Sequence, residues 1–176
     1  MHLETNRLDR WRNVPLSYNE VGATAGRLPD GYRHVRIRAD LGAGTATYER
    51  AVDLLLSWDM HRRAGLDPIA TEPTAVVGAV LVQRIQLGPV RVHAPCRVID
   101  ARRTADRAGF TYGTLVGHPE TGEEAFGIER IAGDRVVATI TAFSRPGRWF
   151  TRLAGPVGDL VQDLALRRYL AALRSA

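Results

Sequence analysis

The segment from Gly109 to Phe126 combines, around one glycine-bounded turn, the side chains best suited to acid–base chemistry and hydrogen bonding. It reads GFTYGTLVGHPETGEEAF. Hydroxyl, imidazole and carboxyl groups can transfer protons when two of them converge on one pocket. The candidate catalytic residues in this segment are Tyr112, His118, Glu123 and Glu124.

Alternation along the first half of this segment separates its side chains into two faces. Phe110, Tyr112 and Thr114 share one face of the predicted strand. If that face is buried, the two hydroxyl groups line an apolar interior, where they need polar partners or a ligand.

The two consecutive glutamates, Glu123 and Glu124, must point to opposite faces of the next strand, so at most one can lie inside. An inward glutamate in a dry cavity would have a raised pKa and could act as a general acid or base near neutral pH. The alternative is that one glutamate pairs with a surface arginine while the other hydrogen-bonds the hairpin backbone. The first interpretation of His118, which precedes Pro119, is that of a turn residue. The second interpretation is that of a general base.

Three other patterns resemble cofactor or metal sites but are incomplete. Residues 42–47 follow a predicted strand as a dinucleotide-binding turn does, but Thr47 stands where the third glycine is needed. Residues 117–122 have the glycine spacing of a phosphate loop, but two glutamates follow where lysine and a hydroxyl residue are required. The five histidines and Cys96 have no zinc-binding spacing. We therefore expect no cofactor and no metal.

Strands must position most of these groups. Strict alternation from Arg33 predicts a first strand. Pro95 has no amide hydrogen, which predicts that its strand is an edge strand or carries a bulge. Runs of β-branched residues between turns predict five further antiparallel strands, over 74–86, 90–100, 108–116, 123–131 and 135–144.

Two helices are predicted to accompany these strands. Apolar residues at helical spacing indicate a helix from about Thr45, which can cap it, to Ala64. Trp58 and His61 lie three residues apart, hence on one flank of that helix. A second apolar stripe predicts a long C-terminal helix over 147–175, interrupted near its start by a Gly-Pro pair. This order of elements predicts an α+β fold in which an antiparallel sheet packs against the terminal helix.

Composition limits the class of protein. The length of 176 residues fits one domain, preceded here by an extended lead-in segment over 1–31. No apolar run reaches the length of a membrane span and the first residues lack a signal-peptide pattern, so we expect a cytoplasmic protein. Lys+Arg exceed Asp+Glu by 24 to 19, but the arginines are scattered, so no nucleic-acid partner is expected.

Several motifs together resemble an uncharacterised protein family, number 0548, with actinobacterial and plant members. The match covers almost the whole chain. The residues that carry it are Tyr32, Gly42-x-Gly44, Trp58-Asp59-Met60-His61 with Gly65-Leu66, Cys96-Arg97-Val98, Gly109-Phe110-Thr111-Tyr112-Gly113-Thr114-Leu115, Gly117-His118-Pro119, Gly122-Glu123-Glu124-x-Phe126 and Ala142-Phe143-Ser144-Arg145-Pro146. The order of elements is also similar to the helix-grip fold of the START and polyketide-cyclase superfamily. That resemblance implies a curved sheet that grips a C-terminal helix around an apolar cavity.

The favoured hypothesis is that the protein binds a small apolar or amphipathic molecule of unknown identity in a cavity between the sheet and the C-terminal helix. Two polar anchors, two apolar walls, a histidine near the mouth and a serine at the entry to the terminal helix would line it. These ligand-binding candidates are Tyr112, Thr114, Trp58, Phe143, His61 and Ser144.

Two alternatives remain open at this stage. The same scaffold could carry an acid–base enzyme of the cyclase, dehydratase or hydrolase type, using the four catalytic candidates of the 109–126 segment. The protein could instead be an interaction module for an anionic surface, with the amphipathic C-terminal helix as its contact. A homodimer is compatible with each hypothesis.

Overall fold

The computed structural model describes residues 8–87, 90–147 and 164–174. Its central element is a seven-stranded antiparallel sheet with the spatial order β1-β7-β6-β5-β4-β3-β2. The strands are β1 (Arg33–Ala43), β2 (Asp67–Ala70), β3 (Val80–Leu87), β4 (Val90–Arg103), β5 (Arg107–Thr114), β6 (Glu120–Ile131) and β7 (Arg135–Pro146). Because β3 to β7 follow one another in both sequence and space, this part of the sheet is a meander, as predicted.

In the part of the chain that the structure describes, four helical segments accompany the sheet: α1 (8–12), α2 (Thr45–Leu56), α3 (Asp59–Arg63) and α4 (164–174). Short 3₁₀ turns occur at Ala23–Ala25 and Ala132–Asp134. The predicted α+β architecture is confirmed. The expected C-terminal helix is present over 164–174, while its predicted start and the Gly155-Pro156 interruption lie outside the described residues.

One face of the sheet, the inner face, is covered by α2, α3 and α4. The largest apolar cluster forms there, because the helices and the strands contribute fully buried side chains to it. From α2 these are Tyr48, Val52 and Leu55, and from α4 they include Leu166 and Tyr169.

The opposite, outer face is covered by the lead-in segment. Tyr18 and Leu28 pack there against Phe143 of β7, and the Tyr18 and Phe143 rings meet edge to face at 5.6 Å. The apolar residues expected to anchor the lead-in segment are Trp11, Leu16, Tyr18 and Val21. Tyr18 is buried, because it reaches into a space beside Gly113, whereas Val21 is 52% exposed.

The predicted helix over 45–64 is divided into α2 and α3. Trp58 adopts a left-handed backbone conformation with φ 69°, which ends the i to i−4 ladder and starts the second helix in a new direction. Thr45 does not cap α2: Gly44 is the N-cap residue, and the Thr45 hydroxyl accepts a hydrogen bond from Arg130. The consequence for function is that both Trp58 and His61 are buried.

The strand boundaries differ from the predictions at two places. β2 was missed, and β3 starts only at Val80, because residues 71–79 form turns in which the Ala75 amide bonds the carbonyl of Leu56. β4 is an interior strand rather than an edge. It carries a bulge between Val98 and Asp100, and Pro95 is accommodated where β5 ends, with its carbonyl accepting from the Leu115 amide.

Candidate functional site

An imidazole surrounded by aromatic rings lies between the helices and the inner face of the sheet. His61, on α3, is fully buried. Its ring centroid lies between 5.2 and 6.2 Å from the centroids of five other rings. These five residues, the aromatic cluster, are Trp58, Phe110, Tyr112, Phe126 and Tyr169.

The two ring nitrogens of His61 have no hydrogen-bond partner among the described residues. Burial lowers the pKa of His61 to about 3, so the ring is neutral, with one N–H donor and one lone pair. An unsatisfied buried polar group of this kind costs about 1–3 kcal/mol. Such a residue in an otherwise closed aromatic environment is a candidate contact for a ligand.

Next to the imidazole, four polar side chains form the polar network: Gln83, Tyr112 and Glu124, which are joined by hydrogen bonds, and Tyr169 beside them. The Tyr112 hydroxyl donates to Glu124 Oε2 at 2.7 Å and accepts from Gln83 Nε2 at 3.2 Å. Tyr169 of α4 lies beside these groups: burial raises the pKa of its hydroxyl, and Tyr112 and Gln83 both act against that larger effect to lower it. Strands β3, β5 and β6 and the terminal helix therefore meet at one set of polar atoms.

Glu124 is half-buried, and its carboxyl group lies against the ring-lined interior. Burial raises the pKa of Glu124 to about 7, the Tyr112 hydrogen bond lowers it, and the neighbouring Glu120 raises it further. The pKa of Tyr112 is raised by burial and by Glu124, so this hydroxyl remains a donor. A carboxyl group that titrates near neutral pH can accept or release a proton under physiological conditions.

We predict that Glu124→Gln makes the protein less sensitive to pH between about 4.5 and 7. Because the folded-state pKa is raised, folding binds a proton in this interval, and wild-type stability falls as the pH rises through it. The free energy of unfolding of the variant, minus that of wild type, should therefore be on the order of 2 kcal/mol larger at pH 8 than at pH 4.5. Urea unfolding of both proteins at a series of pH values measures this difference. Parallel stability curves would show that Glu124 titrates normally.

Glu123 lies on the outer face, in a different environment. Its side chain is 3% exposed, and its two oxygens accept four hydrogen bonds from the lead-in segment. The donors are the Tyr18 hydroxyl at 2.8 Å, the Gly22 amide at 2.7 Å, and the amide at 3.0 Å and hydroxyl of Thr24. This carboxyl group fastens the lead-in segment to the sheet, and its oxygens are occupied by the fold.

The two glutamates thus point to opposite faces, as the alternation predicted. Only Glu124 joins the aromatic cluster and the polar network. The expected pairing of one glutamate with a surface arginine is not found at Glu123, whose described partners all belong to the lead-in segment.

The remaining catalytic candidate, His118, lies in the turn before β6. Its Nδ1 accepts a hydrogen bond from the Glu120 amide at 2.9 Å, and burial lowers its pKa to about 4. This hydrogen bond agrees with the first interpretation of His118, that of a turn residue. The structure does not bring His118 to the Tyr112–Glu124 pair through any hydrogen bond among the described residues.

Of the ligand-binding candidates, Tyr112, Trp58 and His61 come together, but three others do not join them. Phe143 packs with Tyr18 and Tyr32 on the outer face and is not a wall of an inner cavity, because β7 turns it to the same side as Glu123. The Thr114 hydroxyl is engaged with the backbone of Gly122 and with Ser17. Ser144 is half-buried on β7, where it is the cross-strand partner of Gly122.

Sequence reasoning missed Gln83 and Tyr169. Gln83 interrupts an apolar stretch of β3 and is 7% exposed, so a buried amide in an apolar strand was the available signal. Tyr169 occupies an apolar position of the terminal helix, and its side chain is 3% exposed. Only the packing of α4 on the sheet brings its hydroxyl to the polar network.

Outside the inner face, the described surface includes an open groove and several ion pairs. An open groove of about 700 Å³ lies on the outer side, lined by Gly26, Arg27, Leu28, Asp30, His34 and Arg36. Several arginines pair with carboxylates, as Arg103 does with Glu49 at 2.8 Å and Asp53 at 3.0 Å. Within the described ranges, no group of three or more metal-ligating side chains is found, and no helix is long and apolar enough to cross a membrane.

Comparisons with known proteins place these features in a family context. A model described as "Domain of unknown function (DUF1990)" matches residues 17–172. A UPF0548 protein of Deinococcus radiodurans is 36% identical over 175 residues, which cover 93% of this chain and 88% of that protein. A UPF0548 protein of Arabidopsis thaliana is 28% identical over 138 residues, which cover 76% of this chain and 67% of that protein.

Solved structures resemble this one in fold. A hypothetical protein of Helicobacter pylori superposes with a TM-score of 0.63 and 10% identity, covering 92% of this chain and 95% of that one. A norcoclaurine synthase of Thalictrum, solved with a transition-state analogue, superposes with a TM-score of 0.53 and 11% identity, covering 84% and 97%. At these identities the likeness concerns the fold alone, and it confirms the expected helix-grip architecture.

Proposed function

This chain belongs to the DUF1990 family, to which the UPF0548 relatives correspond, and from that premise we propose that it binds a small apolar or amphipathic molecule at the inner-face site. The inner-face site consists of the aromatic cluster, His61 and the polar network. The helix-grip scaffold supports the proposal because it sets a sheet and a terminal helix on either side of these residues.

The observation that carries the proposal is the unpartnered imidazole of His61. A histidine that served packing alone would be expected to bond at least one ring nitrogen, since buried polar groups are nearly always satisfied. Here five rings surround it and neither nitrogen has a described partner. A ligand with a hydrogen-bonding group would satisfy the ring and gain apolar contact with the aromatic cluster.

The site has a closed end and an open end. His61 is 0% exposed, and Tyr112 and Tyr169 are 5% and 3% exposed, whereas Glu124 is half-buried and retains accessible surface. The ligand therefore enters on the Glu124 side, with a hydrogen-bonding group directed toward His61 and its apolar body within the aromatic cluster.

We predict that His61→Leu stabilises the free protein and weakens ligand binding. Leucine removes the two unsatisfied nitrogens, which should raise the free energy of unfolding at pH 7 by about 1 kcal/mol. Because the folded-state pKa of His61 is lowered, the unfolded chain binds a proton that the folded protein does not, and wild-type stability falls as the pH falls from 6.5 toward 3. Leucine does not titrate, so its stability advantage over histidine should grow over that interval. Urea unfolding at pH 7 and pH 5 measures both effects.

Native mass spectrometry of freshly purified full-length protein tests binding directly. We expect a small molecule to accompany the wild-type protein and to be reduced at least fivefold in His61→Leu. Met60→Leu is the matched control, because Met60 is the fully buried neighbour on α3 and the substitution conserves volume. If His61→Leu is destabilised and retains the molecule as well as Met60→Leu does, His61 is a packing residue and the proposal is wrong.

A second candidate function, acid–base catalysis, is favoured by one specific observation. Tyr112 and Glu124 are two titratable groups 2.7 Å apart at the same site, and the carboxyl group titrates near neutral pH. The test is to incubate the recovered molecule with wild-type protein and with Tyr112→Phe and to follow its mass and chromatographic retention. A product formed by wild type and lost in Tyr112→Phe would identify an enzyme; an unchanged molecule would indicate binding alone.

A further inference from the structure

Apart from the inner-face site, we infer that β1 is a docking strand for an extended acidic peptide of a partner protein. The peptide adds a strand at the edge of the sheet and places alternate carboxylates beside the arginines on the outer face of β1. The backbone of β1, the charges along it and the poor fit of a second copy of the chain each support this occupant.

The backbone of β1 is available for pairing along one side. β1 stands at one end of the sheet, with β7 as its neighbour. Among the described residues, no segment other than β7 makes a backbone hydrogen bond to residues 34–41. Every second residue of an edge strand presents its amide and carbonyl groups away from the sheet, where another chain can bond them. The register with β7 is continuous up to Asp40, so this regular part of β1 can pair with about seven residues of a peptide.

The strand at the opposite end of the sheet is protected against such pairing. β2 has four residues, Asp67–Ala70, and includes Pro68, which has no amide hydrogen to donate. Short edge strands that contain proline resist the addition of another strand. β1 has 11 residues and no proline, so its charged side chains decide which chain can pair with it.

The outer face of β1 carries two cations that the described part of the protein leaves unbalanced. Arg36 and Arg38 are exposed and lie two residues apart, hence on the same face. Their cross-strand neighbours on β7 are the neutral residues Thr141 and Thr139. Arg36 donates to the Gly26 carbonyl at 3.0 Å, and neither arginine has an ion pair among the described residues. Carboxylates at alternate positions of an added strand would lie beside both guanidinium groups and accept charge-assisted hydrogen bonds.

The open groove on the outer side continues this surface. Arg36 lines it together with His34, Arg27 and Asp30. Arg27 and Asp30 lie 3.4 Å apart and offset each other's charge, so Arg36 gives the groove its positive sign. A peptide carboxylate beside Arg36 would enter this groove.

The inner face of β1 favours apolar residues at the intervening positions of the peptide. Ile37 and Leu41 point to that face, and each is half-buried against the apolar cluster. A β-branched side chain on the added strand would cover the accessible part of Ile37. The favoured peptide therefore alternates acidic and β-branched residues.

A second copy of the chain fits this edge poorly. Two copies of β1 paired about a two-fold axis at Ile37 would place Arg36 of each copy beside Arg38 of the other. Like charges opposite each other in a sheet are destabilising. The same two arginines attract an acidic strand, so charge selects a partner of different sequence.

Three fluorescein-labelled peptides test this inference: SVEVEVES, SEEEVVVS with the same composition but no alternation, and SVKVKVKS with the opposite charge. Each is titrated with full-length protein in a buffer of low ionic strength, and fluorescence anisotropy reports binding. We expect the alternating acidic peptide to bind at least fivefold more tightly than the second peptide and at least tenfold more tightly than the third. Equal binding of the first two peptides, or no binding of the first, overturns the inference.

Arg38→Ala should weaken binding of the alternating acidic peptide at least threefold. This arginine is chosen because it has no hydrogen bond or ion pair among the described residues, so the fold should be unaffected. Arg63→Ala is the matched control, because Arg63 is an exposed arginine on α3, which packs beside β2 at the opposite edge. Arg63→Ala should leave the affinity unchanged, and equal losses in the two variants would show that the peptide responds only to net charge.

Methylated peptides separate strand addition from attraction between charges. The glutamate amides of the alternating peptide all lie along one edge of its strand and the valine amides along the other. N-methylation of the amides that bond β1 should weaken binding at least tenfold, while methylation of the other set changes it less than threefold. If both methylated forms bind as the parent does, or if single-stranded octathymidylate binds as tightly, β1 attracts anions without pairing and the inference is wrong. A dimer of the free protein in sedimentation velocity, with no peptide binding, would instead identify a second copy as the occupant.

Discussion

Replacing Glu123 by alanine is expected to lower the free energy of unfolding by about 3–5 kcal/mol and to release the lead-in segment from the sheet. The carboxyl group accepts from the Tyr18 hydroxyl, from two backbone amides and from the Thr24 hydroxyl, all in a layer that is largely closed to water. Alanine leaves these donors unpaired, and each unpaired buried donor costs about 1–3 kcal/mol unless water reaches it.

The neighbouring residue supplies the matched control for this prediction. Glu124→Ala removes the same chemical group one position along the strand, but from a half-buried site in which Tyr112 can still bond Gln83. We expect it to destabilise the protein by less than about 1.5 kcal/mol. Urea unfolding measures both variants, and limited proteolysis between residues 16 and 28 reports release of the lead-in segment. Equal destabilisation by the two variants would contradict the assigned role of Glu123.

Replacing Gly122 by alanine is expected to have a comparably large effect, about 4 kcal/mol. Gly122 has φ 152°, in a region that glycine adopts far more readily than other residues, which contributes about 1–3 kcal/mol of strain to the variant. An added Cβ would overlap the Phe143 carbonyl oxygen and lie 2.9 Å from the Cα of Ser144, where backbone atoms cannot move aside. Overpacking of this kind adds about 1–3 kcal/mol.

Gly133→Ala is the matched control for Gly122→Ala. Gly133 also has a positive φ, 75°, but a Cβ there would meet no atom within 4 Å. Its destabilisation should be about 1 kcal/mol, the cost of the left-handed conformation alone. Thermal unfolding of both variants measures the difference. Similar melting temperatures would show that the close approach of β6 and β7 tolerates a side chain.

Much of the fold was predictable because its signals are local. Alternation identified β1, runs of β-branched residues between turns identified β4, β5, β6 and β7 to within a few residues, and the order of elements identified the helix-grip architecture. The division of the 45–64 helix was not predictable, because nothing in the periodicity distinguishes Trp58 from a helical residue. Its left-handed conformation is maintained by burial and by the hydrogen bond from its indole to the Glu72 carbonyl at 3.0 Å.

The candidate site was predictable only in part, for a related reason. Tyr112 and Glu124 are cross-strand neighbours in one hairpin, so spacing along the chain brings them together. His61 was placed near the mouth of a cavity on the flank of a long helix, but the turn at Trp58 makes it the closed end of the site. Gln83 and Tyr169 come from distant strands and helices, and contacts of this range depend on tertiary packing that a single sequence does not specify.

The paired glutamates have a consequence for how β6 finds its position in the sheet. If β6 slipped by one residue, every side chain would exchange faces, yet one of the two glutamates would still occupy a native carboxyl position, beside Tyr18 or beside Tyr112. Hydrogen bonding to glutamate therefore gives only part of the distinction between the native alignment and its nearest competitor. The rest comes from Phe126 and Gly122, since a slip would remove the Phe126 ring from the interior and place a bulky residue against the Phe143 carbonyl. The residues with no polar chemistry thus decide which carboxyl group is available for function.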